Sequence, residues 1–356
     1  MLAPSAGPRL RAERMSPGDW VTLETGADPS RGQQLGQRTL HPPHPRHPPL
    51  GGLGYGVPRA DGRAERLLGE GGARVDAWFG GADLERGRCG SVAWRHDGHW
   101  LYGTLELDEA REPAGLAALA ERAYRDVFAS LAHTGCDHLL RVWNYLPAIN
   151  ADGGGLERYR QFNLGRQQAF LDAGRAAFDG APAACAMGTR DGPFRLHFLA
   201  GRVPALAIEN PRQVSAYRYP AAYGPCSPTF SRAALVEAGQ GQLALFISGT
   251  ASVVGHASAH VGDVEAQTHE TLANLRSVID AARARCSARF ELALLDCIVY
   301  VRLEQDWPAI RAVLQCALGA EAPALRGAVA LQADICRSDL LVEIEAHAFE
   351  PGELLK

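Results

Sequence analysis

The chain has 356 residues, 46% of them hydrophobic and 21% charged, enough to bury one large core or two ordinary ones. Its formal net charge of -4 gives no electrostatic reason to expect nucleic acid or an anionic membrane surface as a partner. No apolar run reaches the roughly 20 residues of a membrane-spanning helix, and the N-terminus lacks the layout of a secretory signal. We therefore expect a soluble, cytoplasmic protein of two domains.

The sequence contains no standard cofactor or metal motif. Its 8 cysteines are scattered without a CxxC pair, which indicates reduced thiols and neither a zinc site nor a disulfide scaffold. The GxSxG, HExxH, P-loop and dinucleotide-binding patterns are also missing. His256, His260 and His269 span a turn and a helix start, a spacing that favours surface or capping roles over metal ligation. We predict no cofactor and no metal.

Residues 1–58 are rich in Pro, Gly, Arg and His and show no sustained apolar period, which predicts a mobile extension. The histidines of the Pro-rich tract 41–49 would not converge on one metal ion in an extended chain, so we interpret the tract as a solvated tail. The glycines of 51–56 resemble a phosphate loop but lack the Lys that follows it, so we expect a flexible connector there.

Beyond this extension the chain repeats the order strand, strand, helix, strand, helix, strand. The first copy contains a strand at 99–105, a helix at 116–134 that Gly135 ends, a strand at 139–146 and a helix at 156–174.

The second copy repeats the order with clearer periods. Its predicted elements are a strand at 242–253, a helix at 267–282, a strand at 290–302, a helix at 307–318, and strands at 328–333 and 340–347. The alternation predicts an α/β fold of two domains, 59–220 and 221–356, each a mixed sheet backed by two helices. The joint at 211–228 is dense in Tyr and Pro, which suits the wall of a site for a planar ligand.

Two acids interrupt the last apolar strand. Glu343 and Glu345 would point to the same face of a strand, opposite Val342, Ile344 and Ala346. From spacing alone, two interpretations stay open: the acids form the solvated side of an outer strand, or one of them enters a pocket. In a pocket, desolvation would raise the pKa of the acid and let it donate a proton near neutral pH.

A set of arginines and tyrosines could bind a small dicarboxylate, because a guanidinium pairs two oxygens and a phenol adds orientation without charge. Surface salt bridges are the alternative role for each arginine. The set comprises Arg158, Tyr159 and Arg166 from the first copy and Tyr217, Tyr219 and Tyr223 from the joint.

Gly249 follows Ser248 and precedes Thr250 near the end of a predicted strand. Glycine weakens a strand interior, so it often marks a place that another group must approach closely. We expect a bound substrate to approach there.

The second copy, from about 231 to 349, resembles the RidA (YjgF) fold. The resemblance rests on the strand end 246–249 (FISG), the helix 271–278 (TLANLRSV) and the closing strand 342–346 (VEIEA). It implies that Glu343 is the ligand-contacting glutamate of that fold. Ala328 stands where RidA deaminases carry an arginine, which argues against imine hydrolysis.

From about residue 90 to its end, the chain is similar to the chorismatases, which carry two RidA-like halves in one polypeptide. The segments that carry this resemblance are 141–147 (RVWNYLP), 158–163 (RYRQFN), 217–220 (YRYP) and 248–252 (SGTAS). The resemblance implies an enzyme that removes pyruvate from chorismate without a cofactor, as a monomer or a trimer.

Two positions imply a subtype within that family. Gly249 and Cys336 match the members that form 3-hydroxybenzoate, whereas members that hydrolyse chorismate to a dihydrodiol carry alanine at the first position. A third branch forms 3- and 4-hydroxybenzoate together. The alternatives are the hydrolase and a non-catalytic RidA-like module that binds a small acid.

The resemblance also suggests roles for individual side chains. Glu343 would donate a proton to the enolpyruvyl group, Gly249 would make room for the reacting ring, and Cys336 would steer or briefly trap the intermediate. Glu345 would be structural. The candidates for substrate binding are the arginines that would hold carboxylates and the tyrosines that would flank the ring: Arg158, Arg166, Arg302, Tyr217 and Tyr223.

Overall fold

The computed structural model describes residues 7–25, 49–57, 65–69 and 72–355. Its N-terminal elements are β1 (Arg11–Met15), α1 (Pro17–Thr25), β2 (Gly51–Tyr55), β3 (Leu67–Leu68), β4 (Arg74–Phe79), β5 (Glu85–Cys89), β6 (Val92–His96) and β7 (Trp100–Leu107). The next elements are α2 (Gly115–Thr134), β8 (His138–Pro147), α3 (Arg158–Asp172), β9 (Ala183–Thr189), β10 (Phe194–Gly201) and β11 (Leu206–Ile208).

The C-terminal elements begin with β12 (Ala233–Gly239), β13 (Gln242–Ala251), β14 (Val253–Val254), β15 (Ala257–Ser258) and α4 (Val264–Arg283). They continue with β16 (Asp296–Val301), α5 (Trp307–Leu318), α6 (Pro323–Arg326), β17 (Val329–Gln332), β18 (Asp334–Ile335) and β19 (Val342–Pro351). Short 3₁₀ turns occupy Glu109–Arg111, Ala216–Arg218, Ala221–Tyr223, Leu292–Leu294 and Glu304–Asp306.

The strands form two large mixed sheets, a smaller three-stranded sheet and the two-stranded ribbon β14–β15. The first sheet has the order β18-β9-β8-β10-β7-β6-β5, and the second has the order β11-β12-β13-β19-β16-β17-β3. Strands β8 and β9 run parallel, as do β16 and β17. A third sheet, β1-β4-β2, is antiparallel. The predicted α/β class of mixed sheets is confirmed.

Apolar side chains arrange these elements in layers. Phe198 belongs to the cluster that joins the outer face of the first sheet to α2 and α3. Ile344 belongs to the cluster that joins the outer face of the second sheet to α4 and α5. The inner faces of both sheets share a third cluster with the small sheet, and Trp78, Trp143 and Phe246 lie in it. Both faces of each large sheet are therefore covered.

The strongest periodic elements agree with the sequence predictions. Helix α5 spans the predicted residues, and α2 begins one residue early and ends at Gly135, which has the left-handed φ of 67°. The strand predicted at 290–302 is shorter, because Leu292–Leu294 forms a 3₁₀ turn and the strand begins only at Asp296. The apolar run alone does not distinguish the turn from the strand.

The expected mobile extension is wrong where the structure describes it. Leu10, Leu50 and Leu53 are buried, and the glycine-rich segment is strand β2 instead of a flexible connector. A Cβ atom on Gly51 would lie 2.0 Å from the ring of Tyr102, so glycine lets β2 lie flat against that ring. The predicted His-Pro tract falls almost entirely on residues 41–48, outside the described residues.

The two halves exchange strands, so the predicted boundary at residue 220 differs from the observed one. Strand β11 already belongs to the second sheet, which places the division between Gly201 and Leu206. Strand β3, from the N-terminal part, pairs with β17 of the second sheet. Strand β18, from the C-terminal part, pairs with β9 of the first sheet. The short exchanged strands carry too little pattern to reveal this from sequence.

The packing of Trp78 predicts that the small sheet is part of the core. Its ring lies 5.6 Å from that of Trp143, 5.9 Å from that of Phe246 and 5.0 Å from that of His347, measured between centroids. We expect Trp78→Ala to lower the free energy of unfolding by about 3 to 5 kcal/mol in urea titrations, because a large buried ring leaves a cavity. The exposed Leu171, replaced by Ala, is the control. A loss below about 1 kcal/mol for Trp78→Ala would contradict this role.

Candidate active site

A cavity of about 430 Å³ lies where the two halves of the chain meet. Its walls come from the start of α3, the segment 213–232, the end of β13, the ribbon β14–β15, the segment 336–340 and β19. Three of the predicted catalytic positions, Gly249, Cys336 and Glu343, line it together with Tyr223. The cavity therefore brings together residues that are far apart in the sequence.

Glu343 reaches the cavity from the inner face of the second sheet. In β19 it pairs with Ala251 of β13 and with Tyr300 of β16, so the backbone ladders on both sides fix it. Val342 and Ile344 point the other way, into the core beneath α4 and α5. Glu343 is only 3% exposed. The interpretation as a solvated strand face is wrong, because the first sheet and the small sheet cover the inner face.

Glu345 lies on the same face but is fully engaged in an ion pair. Its carboxylate accepts a hydrogen bond from the Arg141 guanidinium and another, of 3.2 Å, from Nε1 of Trp143. All three residues are buried. Removing either charge would leave the other buried and unpaired, which is strongly destabilising. Glu345 is thus held away from the cavity.

Glu343 has neither a hydrogen bond nor an ion pair to its carboxyl group within the described residues. Burial, and secondly the nearby charge of Glu345, together raise its pKa to about 8, against the opposing effects of Arg141, Arg232 and Arg302. The carboxyl group is therefore largely protonated at neutral pH. An acid in this state can donate a proton to a bound molecule.

Gly249 provides the space that the Glu343 carboxyl group occupies. A Cβ atom on Gly249 would lie 1.8 Å from Oε1 of Glu343, far inside van der Waals contact. The β13–β19 ladder shifts register between Ile247 and Thr250, as in a β-bulge. The sequence predicts that a substrate approaches this glycine, whereas the group that lies against it in the structure is the Glu343 carboxyl group.

Cys336 follows β18 and is partly buried in the cavity wall. Burial raises the pKa of its thiol to about 12, and the neighbouring Glu343 contributes to the same shift. The sulfur is therefore a neutral thiol at physiological pH. A thiol is a weak nucleophile compared with a thiolate.

Two arginines of the cavity wall each keep an unused N–H group. Arg337 lies over the rings of Tyr219 and Tyr223, 5.0 and 4.3 Å from their centroids, and donates to the carbonyl of His256 at 2.8 Å. Arg232 donates to the hydroxyl of Tyr219 at 2.8 Å. Within the described residues, Nη2 of Arg337 and Nε of Arg232 have no hydrogen-bond partner. Such groups are suited to an anionic ligand.

Several predicted binding residues lie outside this cavity. Arg158 donates to Glu109 at 2.8 Å and to the carbonyl of Pro147 at 3.0 Å. Arg166 is 2% exposed, and its guanidinium lies 5.2 Å from the ring centroid of Tyr124.

Tyr217 and Arg302 also lie apart from the cavity lining. The ring of Tyr217 lies beneath the guanidinium of Arg218, at 5.6 Å. The side chain of Arg302 is fully hydrogen-bonded and faces a second cavity.

Sequence reasoning missed Arg232 and Arg337. Arg337 directly follows Cys336, so its position beside a predicted site residue was an available signal. The sequence carries no such signal for Arg232, because only folding brings it to the site. There its carbonyl accepts a hydrogen bond of 3.0 Å from the amide of Ser248.

Within the described residues, no three His, Cys, Asp or Glu side chains are grouped so that they could hold a metal ion. None of the described helices is long and apolar enough to cross a membrane.

Known proteins resemble the chain over most of its length. Residues 76–200 match the family model described as chorismatase FkbO/Hyg5-like, N-terminal. A 3-hydroxybenzoate synthase from Streptomyces hygroscopicus is 38% identical over 283 residues, which cover 76% of this chain and 80% of that protein. A chorismatase from Streptomyces rapamycinicus is 38% identical over 279 residues, covering 76% of this chain and 81% of that one.

A crystal structure of a chorismatase aligns with 98% of this chain and 100% of that chain, at 31% identity and a TM-score of 0.74. The crystal structure of RidA from a Psychrobacter species aligns with 40% of this chain at 21% identity and a TM-score of 0.30. Fold and site together define an α/β protein whose helix-backed sheets enclose a glutamic acid beside a cavity. At 38% identity over about three quarters of its length, the chain belongs to the chorismatase family.

The raised pKa of Glu343 predicts a pH dependence of stability. Between pH 4.5 and about 8 the folded protein keeps a proton that the unfolded chain loses. The stability that this group contributes to the folded state is therefore fully present below pH 4.5. It is lost as the pH rises to about 8, by up to about 1.4 kcal/mol per pH unit. Glu343→Gln lacks this loss, so its stability relative to the wild type should increase with pH in urea titrations.

The exposed Glu237, replaced by Gln, is the control for this titration. A difference between Glu343→Gln and the wild type that stays constant from acid to alkaline pH would show that the folded state does not retain the proton.

Proposed function

We propose that the protein converts chorismate to 3-hydroxybenzoate and pyruvate, with Glu343 as the proton donor. The observation that carries the proposal is a buried acid, with a pKa of about 8, that faces a cavity of about 430 Å³ beside two arginines with unused N–H groups. The names of relatives at 38% identity, 3-hydroxybenzoate synthase and chorismatase, support it.

Substrate binding in this proposal uses the cavity arginines instead of Arg158 and Arg166. Chorismate carries two carboxylates, one on the ring and one on the enolpyruvyl group. Arg232 and Arg337 would each hold one carboxylate, because each lines the cavity and has a buried N–H group without a partner among the described residues. Tyr219 and Tyr223, whose rings lie beneath the guanidinium of Arg337, would flank the ring of the substrate.

The first chemical step is a proton transfer. Glu343 gives its proton to the terminal methylene carbon of the enol ether, which becomes the methyl group of pyruvate. The bond between the ring carbon and the ether oxygen then breaks, and its electron pair completes the pyruvate carbonyl. Protonation makes the departing fragment a much better leaving group. No step needs an oxidant or a reductant.

The ring hydroxyl next to the departing oxygen then replaces it. The hydroxyl proton returns to the Glu343 carboxylate and an arene-oxide-like species forms. One of its C–O bonds then breaks, the ring loses a proton, and the oxygen gains one, which restores aromaticity and gives the phenol. The two products together contain every atom of chorismate, so water is not consumed. Cys336, as a neutral thiol in the wall, would exclude water and orient this species.

The proposal predicts pyruvate release from chorismate by the purified protein without an added cofactor. Because the protonated acid is the active form, kcat/KM should fall as the pH rises through about 8. Glu343→Gln should lower kcat at least about a hundredfold, whereas Glu237→Gln should behave as the wild type. Unchanged turnover in Glu343→Gln, measured by coupled pyruvate assay and chromatography, would exclude this mechanism.

A second prediction concerns the product. In Gly249→Ala the new methyl group would displace the Glu343 carboxyl group, since Cβ would lie 1.8 Å from Oε1. We expect slower turnover and a shift from 3-hydroxybenzoate towards the dihydrodiol, because water gains access to the intermediate. Gly18→Ala, whose Cβ would meet no atom of the described residues closer than 3.8 Å, is the control. An unchanged product ratio in Gly249→Ala would refute the steric role.

We also propose that the protein acts as a monomer. The inner faces of the two large sheets are covered within one chain by each other and by the sheet β1-β4-β2. A self-covered inner face does not require another subunit. Light scattering coupled to gel filtration measures the mass directly.

A further inference from the structure

Arg302 engages every N–H group of its guanidinium with protein oxygens. Nε donates to the carbonyl of Leu340 at 2.7 Å, and Nη2 donates to the carbonyls of Ile335 and Arg337 at 3.0 and 2.8 Å. Nη1 donates to Asp334 at 2.7 Å and to Asn150 at 3.1 Å. No donor remains for a substrate carboxylate.

The carbonyls of Arg337 and Leu340 belong to the irregular segment between β18 and β19, and that of Ile335 ends β18. Backbone carbonyls that leave a sheet ladder need other partners, and here a single arginine serves all three, although the carbonyl of Arg337 also accepts from the amide of Leu340 at 3.2 Å. The planar guanidinium spans these separate acceptors with a rigid set of donors, whereas the ammonium group of lysine is a single point. The segment 335–340 is therefore shaped around Arg302.

The opposite side of this segment is the wall of the candidate active site. Cys336 and Arg337 line the cavity, and Nη2 of Arg302 binds the carbonyls on either side of Cys336. Gln267 holds the far end of the segment, since its Nε2 donates to the carbonyl of Asp339 at 2.9 Å. Arg302 thus fixes the end that carries the thiol and the arginine, and its Nε also binds the carbonyl of Leu340 at the far end.

Glu343 is held independently of Arg302. Its backbone lies in the ladders of β13 and β16, and its carboxyl group lies over Gly249. Loss of the Arg302 contacts would therefore move Cys336 and Arg337 relative to an acid that stays in place.

We infer that Arg302 is a positioning residue that sets substrate affinity and product partition by fixing the wall segment 335–340, without contacting the substrate. This inference rests on the proposed function, and it deepens it by assigning specificity to a residue outside the cavity. The inferred role of Arg302 is therefore indirect and differs from its predicted role as a ligand of a substrate carboxylate.

The test compares Arg302→Lys with Arg14→Lys. Arg14 is a matched control: its side chain is 11% exposed against 13% for Arg302, and it pairs with Asp76 and donates to the carbonyls of Cys297 and Gly327. It does not line the candidate active site. Lysine at 302 keeps the positive charge near Glu343, so the pH midpoint of kcat/KM should stay near that of the wild type.

For Arg302→Lys we expect KM to rise about tenfold, kcat to change less than about threefold, and a larger share of products other than 3-hydroxybenzoate. Arg14→Lys should lower the melting temperature but leave KM and products unchanged. If Arg302→Lys keeps the wild-type KM and product ratio, the inference is wrong. If it does not fold, Asp334→Asn, which removes one partner of Arg302, should shift KM in the same direction, and an unchanged KM overturns the inference.

Hydrogen–deuterium exchange separates this inference from the proposed function. Arg302→Lys should speed exchange in peptides that cover 335–341, and Arg14→Lys should not. This readout needs no turnover, so a wild-type protein inactive on chorismate would refute the proposed function while the anchoring is still measured. Unchanged exchange in Arg302→Lys would refute the anchoring itself.

Discussion

The site depends on two carboxylic acids that share one buried face of a strand but have different partners. Glu345 is neutralised by Arg141 and bound by Trp143, both from the first sheet. Glu343, two residues earlier, receives no such partner from the described residues and faces the cavity. A buried carboxyl group without a cation is more stable with its proton. The different environments of two neighbouring acids thus produce one ion pair and one protonated acid, which we propose as the proton donor.

Residues from both large sheets and from the small N-terminal sheet enclose this face. The first sheet supplies Arg141 and Trp143, the second sheet supplies both acids, and the small N-terminal sheet adds Trp78 to the same core. Gly249 then leaves room for the Glu343 carboxyl group beside its own backbone. Two arginines in the wall offer donors to an anion, and Arg302 fixes the segment that carries one of them. In the proposed function, the residues for binding and the residue for proton transfer are therefore held by different parts of the structure.

The sequence predicted the parts of the fold that have strong periods, such as α2, α5 and the shared face of Glu343 and Glu345. It did not predict the strand exchange of β3 and β18, because two-residue strands carry no pattern. Glu343, Gly249, Cys336 and Tyr223 lie at one cavity as expected. Arg158 and Arg302 do not line it, because both are already paired within the protein. The residue type alone does not reveal such pairing.

The most direct measurement of the central claim is the protonation state of Glu343. Infrared difference spectra between the wild type and Glu343→Gln, recorded across pH, isolate the band of this one carboxyl group. The account predicts a protonated carboxyl band at pH 7 that disappears with a midpoint near pH 8. A carboxylate band already present at pH 6 would contradict it, since Glu343 would then hold no proton to donate.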